Sequence, residues 1–143
     1  MDIEIYTDGG VYPNPGNGGW ACILKFGDQV KELSGNCPNT TNNRMEIEAI
    51  IQALKALKEG AKDHQIIIYS DSQWAINACR GTWKIKKNLD KVQEARDLIA
   101  KNGWNIRWEW IKGHDGHEMN ERCDVLAAAQ VKSSAQKQEN SPS

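Results

Sequence analysis

The sequence lacks the features that would make it a membrane-spanning, secreted or zinc-binding protein. No apolar run in its 143 residues approaches the ~20 needed to cross a bilayer. The opening Met1-Asp2-Ile3-Glu4 has no basic segment followed by an apolar one, so it does not read as a secretory signal. Its four cysteines, Cys22, Cys37, Cys79 and Cys123, are widely spaced and form no Cys-x-x-Cys pair, which argues against a zinc site. Their count allows two disulfides, but without an export signal reduced thiols in the cytoplasm are the expectation. An excess of positive charge is also missing. The 18 Lys and Arg against 19 Asp and Glu leave a formal net charge of −1. A protein that held nucleic acid by charge alone would be strongly basic, so such binding needs bound cations or a local basic patch.

What is present fits one domain with one core. The composition, 39% hydrophobic and 26% charged, is that of an ordinary globular protein. Residues 3–7 alternate and predict a strand, and the Gly-, Pro- and Asn-rich residues 8–19 predict a loop. Strands are expected near 20–26 and 29–36, with a hairpin turn at Gly27-Asp28. Residues 43–59 predict a helix ended by Gly60, with Ile47, Ile50, Ile51, Leu54 and Leu57 on one stripe. The apolar run 65–70 suits a strand buried on both faces. Helices are expected near 72–80, 88–102 and 119–131, and the alternation Trp104, Ile106, Trp108, Trp110 predicts a strand between the last two. Residues 1–132 are expected to form the folded domain and the polar residues 133–143 a disordered tail.

Four carboxylates sit where carboxylates are costly. Ile5-Tyr6-Thr7-Asp8 and Ile68-Tyr69-Ser70-Asp71 are near-identical strand endings. If those strands are parallel neighbours, both aspartates lie at one edge of the sheet, where ligands of open α/β sheets bind. The plainer reading is that Asp8 starts a turn and Asp71 caps a helix. Glu46 shares the edge of an apolar helix face with Ile50, Ala53 and Leu57; a capping box with Asn43 as N-cap explains its position but not its direction. Asp124 stands above Ala127, Ala128 and Val131 in a helix interior that disfavours aspartate. Carboxylates gathered at one place repel one another unless some bind protons or a cation neutralises them. An all-oxygen donor set points to Mg²⁺ or Mn²⁺. Two such ions ~4 Å apart are the usual means of in-line attack on a phosphodiester.

Several stretches together resemble type 1 ribonuclease H: Tyr6-Thr7-Asp8-Gly9, Asn14-Pro15-Gly16, Gly18-Gly19-Trp20, Thr41-Asn42-Asn43-Arg44-Met45-Glu46, Ser70-Asp71-Ser72-Gln73, Lys112-Gly113-His114 and Asn120-Glu121-Arg122-Cys123-Asp124. The resemblance covers residues 3–131. It implies the ribonuclease H-like α/β fold, a five-stranded mixed sheet with three antiparallel strands, then two parallel, and helices on both faces. It implies an endonuclease that cuts the RNA strand of RNA/DNA hybrids with two Mg²⁺ ions, Mn²⁺ being a possible substitute, leaving 5′-phosphate and 3′-hydroxyl ends. Asp8, Glu46, Asp71 and Asp124 match the metal-binding carboxylates. By the resemblance, Asp8 bridges the ions, Asp124 helps hold the one that activates water, and Glu46 and Asp71 the one beside the leaving oxygen. His114 matches the family's mobile-loop histidine, which assists proton transfer or product release; its Gly-flanked loop suits such a group. His64 and His117 match no role and read as surface histidines. Asn14, Thr41, Asn42, Asn43 and Gln73 match positions that sense the hybrid's minor groove, where uncharged polar groups can read 2′-hydroxyls. As turn and cap residues they also have a purely local explanation.

The chain departs from many bacterial members in one place. Their basic helical insertion is reduced here to Arg80-Gly81-Thr82-Trp83-Lys84-Ile85-Lys86-Lys87-Asn88. Lys84, Lys86 and Lys87 can meet phosphates and Trp83 a sugar, or the segment is a solvated basic turn. Weaker, more salt-sensitive hybrid binding is therefore expected of a cytoplasmic monomer. Rival readings are another nuclease of the same fold and a binding module without catalysis; the latter would have no need of all four carboxylates. The glycines between Gly9 and Gly19 follow neither dinucleotide nor P-loop spacing.

Overall fold

In the computed structural model, which describes residues 1–112 and 117–139, five strands form one mixed sheet in the order β3-β2-β1-β4-β5. They are β1 (Ile3–Tyr12), β2 (Gly16–Phe26), β3 (Gln29–Thr40), β4 (Gln65–Ser70) and β5 (Asn105–Trp110). β1, β2 and β3 are antiparallel in turn, whereas β4 lies parallel to both β1 and β5. The helices are α1 (Asn42–Ala56), α2 (Gln73–Arg80), α3 (Leu89–Asn102) and α4 (Glu118–Glu139). Among the described residues no helix is long and apolar enough to cross a membrane.

The apolar pattern dictates the layering. Ile47, Ile50, Ile51 and Leu54 of α1 are fully buried against Ile3, Ile5, Ile66 and Ile68, together with Val92 and Ala95 of α3. Central β4 is buried on both faces at Ile66, Ile67 and Ile68, as its unbroken apolar run requires. On the opposite face Tyr6, Ala21 and Ile23 pack against Cys123 and Ala127 of α4. The sheet thus has α1 on one side and α4 on the other. The ion pairs Lys55–Glu94 and Lys91–Glu48, each 2.8 Å, join α1 to α3. All four cysteines are free, and burial pushes the thiols of Cys22 and Cys79 up to about 12, well out of the nucleophilic range.

Three local expectations differ from the structure. Most of the supposed loop 8–19 is strand, a long β1–β2 hairpin in which Asp8 pairs with Ala21 and Gly9 with Trp20. The glycines there are needed for close approach rather than for turning. A side-chain carbon at Gly9 would run into the main chain of Met45 in α1, and one at Gly19 would stand 2.5 Å from the Ala127 carbonyl of α4. The first helix stops at Ala56, and Gly60 lies in a separate 3₁₀ turn, Glu59–Asp63. The last helix continues past Val131 to Glu139, through part of the segment expected to be disordered. Its extension has partners: buried Ser134 donates to Asn17 at 3.2 Å, and Lys137 reaches Asn36 at 3.4 Å.

Candidate active site

Parallel pairing of β1 with β4 runs from Ile3↔Ile66 to Tyr6↔Tyr69. The same offset carries on to Asp8 and Asp71, so the twin strand endings deliver both carboxylates to one edge of the sheet. Past this point β1 stays paired to β2 alone, while β4 ends at Ser70. Ligands of open α/β sheets bind at such a change of pairing, here at the carboxyl end of β4.

Glu46 enters from α1. The N-cap of that helix is Thr41, whose hydroxyl accepts from Arg44 N at 3.4 Å, rather than Asn43. Because Gly9 lets α1 press onto β1, Glu46 is carried to the strand and is only 7% exposed. The Gly9 N–H then donates to both Asp8 Oδ1, 3.0 Å, and Glu46 Oε1, 3.1 Å. One oxygen from each of Asp8, Glu46 and Asp71 lies within 4.8 Å of the others. Asp124 arrives from the other face on α4, where its carboxyl lies near enough to Asp8 to raise the pKa of that group. The two aspartates line a cleft of about 250 Å³ with Gly10, Val11, Ala127 and Ala128.

The electrostatics of this cluster follow from its crowding. Burial, then the charge of Asp71, then contact with Asp124 push the Asp8 carboxyl up to about 8, against the opposing pull of the Gly9 N–H. Burial and then the charges of Asp71 and Asp8 drive Glu46 well above the usual carboxylate range. Without a counterion the site therefore holds protons near neutrality. Glu46 Oε2 is buried and has no hydrogen-bond partner among the described residues. A buried carboxylate oxygen without a partner is costly, and a cation ligated there removes the cost. The donor set is all oxygen, part buried and part open to solvent, which fits a hard divalent ion that keeps several waters.

The chain matches the family model for RNase H over residues 1–132. It belongs to the RNase H family. Among curated relatives it is 42% identical over 139 residues to the ribonuclease H of Geotalea uraniireducens, covering 92% of this chain and 95% of the relative. It is 44% identical over 143 residues to that of Hahella chejuensis, covering 91% and 93%. Among solved structures the N-terminal RNase H domain of a Mycobacterium tuberculosis protein superposes with a TM-score of 0.83 at 27% identity, covering 96% of this chain and 99% of that one. A ribonuclease H1 from compost, solved in complex with an RNA/DNA hybrid, superposes with a TM-score of 0.80 at 26% identity, covering 93% and 99%. The sheet order and the helices on both faces are those expected of an RNase H.

Around the carboxylates, the other residues picked out in the sequence fall into two groups. Asn14 Oδ1 accepts from Asn42 N at 3.3 Å, joining the β1–β2 turn to the start of α1. Asn14, Thr41, Asn42 and Asn43 thus form one ridge, with Asn14, Asn42 and Asn43 exposed. Gln73 begins α2, exposed and two residues beyond Asp71. The second group is the α2–α3 connection, where Trp83, Lys84, Lys86 and Lys87 are all exposed. Arg44 bridges the groups: its guanidinium donates to Asn88 Oδ1 at 3.2 Å and to both Asp90 oxygens at 3.0 and 2.8 Å. That fork fixes the end of the basic segment against the start of α1. His114 lies outside the described residues. His117 is exposed yet meets the stacked rings of Tyr6 and Tyr69, with centroids 6.3 and 5.8 Å away. His64 is half-buried and meets Phe26 edge-on at 4.8 Å.

Sequence reasoning missed two contributors to the site. Gly9 stands in the expected loop and in the Tyr6-Thr7-Asp8-Gly9 stretch, but neither reading shows that its N–H is the shared donor for two carboxylates. Trp110 belongs to the alternation that predicts β5, which gives it no place in the site, but the residue is 46% exposed and its Nε1 donates to the Asp71 carbonyl at 3.1 Å. Its place at the end of an alternating strand opposite Ser70-Asp71 was the available signal.

Proposed function

We propose that this chain is an endoribonuclease that hydrolyses the RNA strand of RNA/DNA hybrids, leaving 5′-phosphate and 3′-hydroxyl ends. The observation that carries the reading is the convergence of Asp8, Glu46 and Asp71, with a buried carboxylate oxygen left unpartnered. Asp8, Glu46, Asp71 and Asp124 would hold two Mg²⁺ ions, with Mn²⁺ as a substitute. Such ions supply Lewis-acid stabilisation of the phosphoryl charge and a water activated at neutral pH. Crowded carboxylates otherwise retain protons, so metal loading and proton release are one event. The Gly9 N–H holds Asp8 and Glu46 in fixed orientation, so less reordering is needed as the ions enter. We assign His114 to proton transfer or product release.

Selectivity is assigned to the uncharged ridge of Asn14, Thr41, Asn42 and Asn43 together with Gln73. Hydroxyl and amide groups can both donate to and accept from a 2′-hydroxyl, whereas a lysine can only donate and its charge is drawn to phosphate. Trp83, Lys84, Lys86 and Lys87 are assigned to the backbone further along the duplex. The active unit is taken as residues 1–132, working as a cytoplasmic monomer.

The test is incubation in Mg²⁺ with an end-labelled hybrid beside duplex RNA, duplex DNA and single-stranded RNA. Cutting confined to the hybrid and lost in Asp8→Asn is the expected result. A folded protein that binds the hybrid but cuts nothing in Mg²⁺ or Mn²⁺ would establish the binding module instead.

A further inference from the structure

The three clustered carboxylates are not held alike. Asp8 and Glu46 share the Gly9 N–H, and Glu46 is buried. Asp71 is exposed and lies just past the end of β4, where the sheet ladder runs out. The last ladder-like bond there is Ile111 N to the Ser70 carbonyl at 2.9 Å. The main chain beyond it would be free to turn, and a small rotation at an aspartate swings its carboxylate by an ångström or more.

Three groups oppose that rotation. Ser70 Oγ accepts from Ser72 N at 3.1 Å, and Ser72 Oγ caps α2 by accepting from Ala75 N at 3.0 Å. The third is the indole of Trp110, whose Nε1–H donates to the Asp71 carbonyl across the parallel β4–β5 pair, in which Ser70 is registered with Trp110. Trp110 is a large aromatic residue left 46% exposed beside Asp71. Burial gives a weak reason for a tryptophan at this position, because much of the hydrophobic gain is forgone. The geometry gives a better one, since indole is the one aromatic group that offers a donor and no acceptor, and a main-chain carbonyl is what it meets.

We propose that Trp110 is a positioning residue for the metal centre: its indole N–H replaces the missing ladder bond at Asp71 and fixes the direction of that carboxylate. The inference rests on the reading of Asp71 as a metal ligand. It acts on ion affinity and not on hybrid affinity, because the indole holds a ligand's main chain. Groups that orient metal ligands typically contribute 10–100-fold in affinity or activity. One hydrogen bond acting through the main chain belongs at the low end.

Trp110→Phe keeps a ring and removes the donor, and thermal melting checks that the variant folds. Calorimetric Mg²⁺ titration of the substrate-free protein is the primary readout. About a tenfold weaker Mg²⁺ dissociation constant is expected, with a matching shift in the Mg²⁺ dependence of cleavage. The hybrid KM at saturating Mg²⁺ should stay within twofold, and kcat there should recover to near the wild-type value. Unchanged Mg²⁺ binding with a lower melting temperature would overturn the proposal in favour of a packing role. Unchanged Mg²⁺ binding in Trp110→Phe with a raised hybrid KM in Trp110→Ala would overturn it in favour of a stacking platform for substrate. Failure of the underlying reading is distinguishable, because wild type would then neither bind Mg²⁺ at this cluster nor lose that binding in Asp8→Asn.

Discussion

Asp8 is the residue on which the chemistry and the stability of this protein pull in opposite directions. Burial and the neighbouring Asp71 charge push its carboxyl up to about 8 in the folded, metal-free protein, against an ordinary value of 3.8. Below pH ~4 it is protonated in both folded and unfolded chains and contributes no pH dependence. Between ~4 and ~8 the unfolded chain has lost its proton while the folded one keeps it, so metal-free stability declines as pH rises through that window. Asp8→Asn removes the titrating group. The variant should be more stable than wild type at pH 8 in EDTA, by about 0.5–2 kcal/mol, with the gain fading towards pH 4. Urea unfolding at the two pH values measures this, and a destabilised Asp8→Asn at pH 8 would mean the site is not strained by its own charge. At this scale the sequence was highly legible, because a carboxylate that interrupts an apolar face is visible without coordinates. The shared Gly9 donor and the Trp110 bond were not, since both depend on which main-chain groups face the site.

At the scale of elements, the twin endings of β1 and β4 and the stripe of α1 were readable because burial imposes a period on them. The hairpin was misread because glycine signals freedom in a turn and close approach in a strand with the same letter. Gly9 and Gly19 serve the second purpose, giving α1 and α4 their seats on the sheet. The end of α4 was misread for a different reason. Residues 133–137 carry no apolar stripe, yet Ser134 and Lys137 find Asn17 and Asn36 on β2 and β3. Gln130 adds bonds to Asn36 and Ser34 at 2.7 and 3.0 Å one turn earlier. A chain ended at Lys132 should still fold and retain cleavage, because these contacts lie away from the carboxylates. It should lose about 1–2 kcal/mol, since each hydrogen bond contributes about 0.5–1.5, and melt roughly 3–6 °C lower. An unchanged melting temperature would return 133–139 to the role of a loose tail.

For the whole molecule, a net charge of −1 leaves little long-range attraction for a polyanion. Attraction must come from the metal centre and from the local cluster Lys84, Lys86 and Lys87, held in place through Arg44, Asn88 and Asp90. Each lysine that neutralises a phosphate contributes about 1 to the slope of log affinity against log salt. Replacing Lys86 and Lys87 by Ala should flatten that slope by about 2 and weaken hybrid binding at low salt, with Mg²⁺ affinity unchanged. A slope equal to that of wild type would make these lysines a solvated turn.

The central claim is that this acidic cluster is a metal-dependent nuclease centre directed at one strand. The most direct measurement uses a hybrid with a different fluorophore on each strand, incubated with the protein in Mg²⁺ and then in excess EDTA. The account predicts a shortened RNA label, an intact DNA label and no cleavage once the metal is removed. Cleavage of the DNA strand, or RNA cleavage that persists in EDTA, would contradict it.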